Sequence, residues 1–166
     1  MKMIEHMQQY YQGERNTAYI AVAIGIILIG ISFILVQYFA NERLVKGLFY
    51  VFLGGSLFFL TAGISVAIYN TRKIEEVKSE TLNNKELQKS ETERMKLVMT
   101  KGYCFALILF TTLVIGGVAL SVFNPNDLWK GIGLGLLIIG VTGHTTEAFS
   151  MQKNKVYQQK INSLNF

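Results

Sequence analysis

Long apolar stretches alternate with short polar ones along this chain. Ala18 to Ala40, Gly47 to Tyr69 and Gly102 to Phe123 contain no Asp, Glu, Lys or Arg, and each is 22 or 23 residues long. As helix, at about 1.5 Å per residue, each covers roughly 33–35 Å, enough to cross a hydrocarbon core of about 30 Å. A fourth stretch, Gly131 to Thr146, is free of charge for 16 residues and reaches the same length if helix runs from Leu128 to Ser150. The pattern predicts an all-α integral membrane protein. It is a four-transmembrane-helix bundle with spans at 18–40, 47–69, 102–123 and 128–150, all within one membrane domain, 1–166.

The polar stretches carry a helical period of their own. In the run from Asn70 to Lys101, Ile74, Val77 and Leu82 lead away from the second span, and Leu87, Glu91, Met95, Val98 and Met99 lead back to the third. Asn83-Asn84 is the expected turn between them, so the run reads as a helical hairpin projecting into the cytoplasm. In residues 1–16, Met3, Ile4, Met7, Tyr10 and Tyr11 recur at spacings of three and four. They predict a short amphipathic helix lying on the membrane surface. The apolar block behind it starts too late and runs too long for a cleaved signal peptide. The tail, 151–166, keeps the same period through Val156, Tyr157, Ile161 and Leu164. Two short links complete the chain, Ala40 to Arg43 and Asn124 to Asp127, the latter holding the single proline, which cannot continue a helix.

Charge sets the expected orientation. Residues 1–16, 70–101 and 151–166 hold 2, 8 and 3 Lys plus Arg, whereas the two links and the residues that open the spans after them hold only Arg43, Lys46 and Lys130. The positive-inside rule then places both termini and the 70–101 hairpin in the cytoplasm of a plasma (inner) membrane. Tyr19, Tyr69 and Tyr103 fall at the inner interface and Tyr38, Phe39 and Trp129 at the outer one, where amphipathic rings prefer to lie. The net charge of +5 is spent on topology, and no nucleic-acid partner is expected. Cys104 is the single cysteine and has no partner for an internal disulfide.

Shifting the chain by 84 positions superimposes the two halves without a gap. Ten identities fall between 17–74 and 101–158, among them Leu44, Lys46 and Gly47 on Leu128, Lys130 and Gly131. The reading is a duplicated hairpin. Each copy has two spans, so the copies cross in the same sense, related by an axis along the membrane normal.

Candidate chemistry is sparse. Small residues four apart, Ala21 with Gly25, Gly117 with Ser121 and Gly131 with Gly135, are expected helix-packing positions, because close backbone approach drives association in lipid. The most polar patch within a span is Thr142, His144, Thr145, Thr146 and Glu147. His144 and Glu147, three apart, share a helix face, and Arg72 and Arg94 are the cations that could reach Glu147. An ionisable group inside a span can mark a proton or ion path, yet this one lies close enough to the inner interface to snorkel to water. No catalytic, cofactor-binding or metal-ligating set emerges, since one His and one Glu leave a metal short of ligands. The expected function is non-catalytic: a polytopic membrane protein working through protein–protein interaction, as an accessory, scaffold or immunity-type subunit. Its partners are membrane lipids and a protein partner or a second copy of itself. The alternative is a small oligomeric channel or transporter using the polar inner end of the fourth span.

Overall fold

A computed structural model describes residues 2–79 and 83–164. Among the described residues there are helices and no strands: α1 Lys2–Phe39, α2 Arg43–Ser79, α3 Asn84–Leu97, α4 Tyr103–Phe123 and α5 Asp127–Asn162. A π-helical turn, Val98–Gly102, joins α3 to α4 with helical backbone throughout. Four helical rods result, and each is long and apolar enough to cross a membrane.

The joints follow from local chemistry. Pro125 stands in the three-residue link between α4 and α5. Asn126 caps α5, its side chain accepting from the Leu128 N–H at 2.9 Å, which satisfies a donor the first helical turn would leave bare. Asn83 caps α3 in the same way, extended at φ −63°, ψ 139°. The expected turn is thus anchored at Asn83; Leu82, placed on the helical stripe of the outgoing arm, lies outside the described residues.

Within the apolar portion, α1 packs along α2, α4 along α5, and α2 meets α5. Small residues make these approaches possible. A Cβ on Gly25 would lie 3.0 Å from the Ser56 carbonyl oxygen, and one on Gly117 would lie 2.7 Å from the Gly133 carbonyl oxygen. The α2–α5 contact is reciprocal. A Cβ on Gly47 would lie 2.2 Å from the Leu128 carbonyl oxygen, and one on Gly131 would lie 1.9 Å from that of Leu44. One turn further along, Gly135 faces Val51, and then Gly55 faces Ile139. Ser121 and Ala21 take supporting places: the Ser121 hydroxyl lies against Gly133, and Ala21 packs on the cluster of Leu28, Phe52, Phe59 and Ile139. The outward faces are greasy, with Phe123 81% exposed.

The polar ends of the rods come together as a head with its own core. Met3, Met7 and Tyr11 of α1, Ile74 and Val77 of α2, Leu87 and Met95 of α3, and Tyr157 and Ile161 of α5 are all buried in one cluster. Two expectations change here. The first residues of α1 are not a separate surface helix. They continue the first rod, and their apolar stripe is buried among the other helices. Tyr103 is not an interfacial belt residue either. It is 5% exposed, its hydroxyl donating to Ser150 Oγ at 3.2 Å and accepting from Asn154 Nδ2.

Candidate functional site

Two polar places stand out, one inside the head and one above it. In the head, the Glu91 carboxylate is 4% exposed and receives four hydrogen bonds. Arg94 donates from Nε at 2.8 Å and from Nη2 at 2.7 Å. Tyr157 donates at 2.9 Å and Tyr11 at 3.1 Å. The Arg94 guanidinium also lies over the rings of Tyr10 and Tyr11, with centroids at 5.5 and 5.2 Å, and Tyr10 stacks on Tyr157 at 3.8 Å. A buried carboxylate is tolerated when its lone pairs are filled and its charge is matched, and both conditions hold. Burial and the Glu91 charge push the Tyr11 and Tyr157 phenols well above their ordinary range. Burial works against the charged Arg94, but hydrogen bonding and attraction from Glu91 more than offset it and hold the guanidinium protonated.

Above the head, beyond the last glycine contact between α2 and α5, the helices leave a cleft of about 270 Å³ lined by all four rods. Phe59 and Phe110 form its buried back wall, while Phe58 and Phe105, 44% and 71% exposed, flank its open side. Its polar groups are Glu14, Thr17, Thr146, Glu147 and Ser150. Glu14 sits where this cleft meets a second, wider groove of about 450 Å³ between α1 and α5, which also holds His6 and Lys153. Glu14 Oε1 is buried and has no hydrogen-bond partner among the described residues. Burial raises the Glu14 carboxyl above the usual range, the Lys153 and Arg94 charges pull it back, and the Glu147 charge adds to the rise. The Lys153 ammonium donates to Thr17 Oγ1 at 2.7 Å, bridging α5 to α1 at the junction of groove and cleft.

The polar patch expected at the inner end of the fourth span is therefore divided. His144 Nε2 lies 3.2 Å from Thr111 Oγ1 of α4, beside the Phe110 ring. Glu147 turns into the cleft. Thr145 and Thr146 donate back to the carbonyls of Val141 and Thr142 within their own helix, both at 2.9 Å, the usual way a hydroxyl is satisfied in an apolar helix. Arg94 is committed to Glu91, and Arg72 lines a shallow groove beside Tyr19 on the α1–α2 surface; neither is paired with Glu147. Among the described residues no cluster of three or more His, Cys, Asp or Glu could hold a metal ion.

Glu14 and Glu91 do not figure among the expected site residues, though each leaves a trace in the sequence. Glu91 stands four from both Leu87 and Met95, on the apolar stripe of α3. Glu14 stands three from Tyr11 and four from Ala18, on the buried stripe of α1. A carboxylate at a core register position is the signal in both cases. No protein-family model, curated protein or solved structure matches the chain.

Proposed function

We propose that this chain is a multi-pass protein of the inner membrane, inserted through its four apolar rods with both termini and the 70–101 hairpin in the cytoplasm. It acts without catalysis, as an accessory, scaffold or immunity-type subunit whose head binds a protein partner. The observation that carries this reading is the head itself. Four helical ends share one buried core, and the Glu91 node ties three of them, α1, α3 and α5, so a preorganised surface stands beyond the apolar rods and little ordering is left to be done on binding. Affinity purification of the full chain in mild detergent tests it. A stoichiometric heterologous subunit, lost when exposed head residues such as Lys89 and Glu93 are reversed in charge, is the expected result. Recovery of the chain alone after cross-linking in intact cells would count against it.

A duplicated hairpin belongs to the same proposal. The α2–α5 contacts support it, because the 84-residue shift maps each onto another or onto itself: Gly47 with Leu128 onto Gly131 with Leu44, and Gly135 with Val51 and Gly55 with Ile139 each onto itself. Positions 51 and 135, and 55 and 139, are themselves counterparts. So are the buried Asn70 and Asn154. Such a pattern is what a two-fold axis along the membrane normal produces.

A second reading, a small channel or transporter, is favoured by one observation. Glu147 faces a cleft at the inner end of the apolar rods, and an ionisable residue within a span often marks an ion path.

A further inference from the structure

We infer that the cleft between the four rods binds an amphipathic organic cation, its ammonium held by Glu14 and Glu147 and its apolar body by the phenylalanine walls. The inference deepens the transport reading by naming the chemistry of the ligand.

The cleft combines three features that one ligand class satisfies together. Two carboxylates face it from opposite hairpins, Glu14 of α1 and Glu147 of α5, and Oε1 of Glu14 is buried with no hydrogen-bond partner among the described residues. Lys153 reaches the junction, its ammonium bonded to Thr17, and Lys160 lines the α1–α5 groove about two turns further along α5. Arg94, which also acts on Glu14, is neutralised by Glu91. The lining of the cleft itself holds two carboxylates and, among the described residues, no Lys or Arg, which suits a cation. The rest of the wall is apolar and aromatic: Phe59 and Phe110 at the back, Phe58 and Phe105 at the rim. Ring faces attract cations, quaternary ammonium ions in particular. For a metal ion the hydroxyls of Thr17, Thr146 and Ser150 are already engaged in hydrogen bonds, which leaves two carboxylates where a hard cation takes six or more oxygens. An anion would meet two carboxylates, and a neutral lipid chain would leave both unmatched.

The internal symmetry points the same way. Of the cleft residues, Ala62, Gly63 and Val66 of α2 correspond under the 84-residue shift to Thr146, Glu147 and Ser150 of α5, and Phe59 corresponds to Gly143. One hairpin supplies the small and apolar wall and the other supplies hydroxyls and a carboxylate. Packing alone would not require that division, whereas a ligand with one charged and one apolar end would. Entry is open on two sides, past Phe105 from the apolar surroundings and through the α1–α5 groove that Glu14 also lines.

The test uses the purified full-length protein in nanodiscs, with benzyltrimethylammonium as probe and benzyl alcohol and benzenesulfonate as neutral and anionic comparisons, measured by equilibrium dialysis. Saturable binding of the cation alone is expected. Glu14→Gln and Glu147→Gln should each weaken it by at least about tenfold, the loss of one charge-assisted contact, while Glu42→Gln, in the α1–α2 link, leaves it unchanged. Ala62→Trp, which fills the cleft while keeping both carboxylates in the chain, should abolish it and covers the case in which a glutamate variant fails to fold. Equal retention of cation and benzyl alcohol, or undiminished binding in folded Glu147→Gln or in Ala62→Trp, would overturn the site. Cation binding with no uptake into proteoliposomes would leave the site standing and remove the transport reading.

Discussion

At Glu91, four donors converge on one carboxylate, and the consequences differ for the charge and for its neighbours. Removing it leaves the Arg94 guanidinium, 24% exposed, without a counter-charge in the head. Breaking a buried pair costs about 3–5 kcal/mol, whereas replacing both partners by apolar residues of similar volume is often neutral. Glu91→Leu is therefore expected to lower stability by about 3–5 kcal/mol, and Glu91→Leu with Arg94→Met to recover much of that, as followed by thermal unfolding in detergent. Simple additivity of the two changes would show that the ion pair is not buried as described. The phenols give a pH signature. Because Tyr11 and Tyr157 titrate higher in the folded head than in the unfolded chain, the folded state holds more protons above the ordinary tyrosine value of about 10. Stability then falls as pH rises beyond that value. Tyr11→Phe with Tyr157→Phe should flatten the decline between about pH 10 and 11 in unfolding scans, and an unchanged slope would place these hydroxyls in solvent.

Among the elements, the glycines divide into two kinds that composition does not separate. A Cβ on Gly47 or Gly131 meets a backbone carbonyl of the facing helix, which cannot turn aside, whereas Gly30 and Gly54 have open space around a built Cβ. Alanine in a helix interior is favoured over glycine by up to about 1 kcal/mol, and forced overpacking costs about 1–3 kcal/mol. Gly131→Ala and Gly47→Ala should accordingly lower the melting temperature, and Gly30→Ala and Gly54→Ala should hold or raise it. The reverse order would remove the α2–α5 contact. The sequence shows that Gly131 and Gly135 lie on one helix face, but it gives no sign that of the adjacent Gly116 and Gly117 one is open and one pressed against α5. Only the facing helix tells them apart. The same limit applies to the charges. Charge-free blocks mark the four apolar rods directly, because a single uninterrupted stretch decides each. Glu91 instead depends on Tyr11 and Tyr157, 80 and 66 positions away, and local periodicity carries no record of such partners. His144 and Glu147 share a face by spacing, yet one turns to Thr111 and the other to the cleft, because a face wide enough to hold both also spans two neighbours.

For the whole molecule, the membrane reading ties the apolar rods, the head and the charge distribution to one orientation. The head gathers the ends of all the rods on one side, and the basic residues of 1–16, 70–101 and 151–166 gather with it. The links at 40–42 and 124–126 lie at the opposite ends. Cysteine labelling in intact cells tests this most directly. In a Cys104→Ala background, single cysteines at Asn41, Asn126 and Asn84 are exposed to a membrane-impermeant thiol reagent. Labelling at Asn41 and Asn126 without permeabilisation, and at Asn84 only after it, is the expected result. Labelling of Asn84 from outside intact cells would contradict the orientation and place the head on the other side.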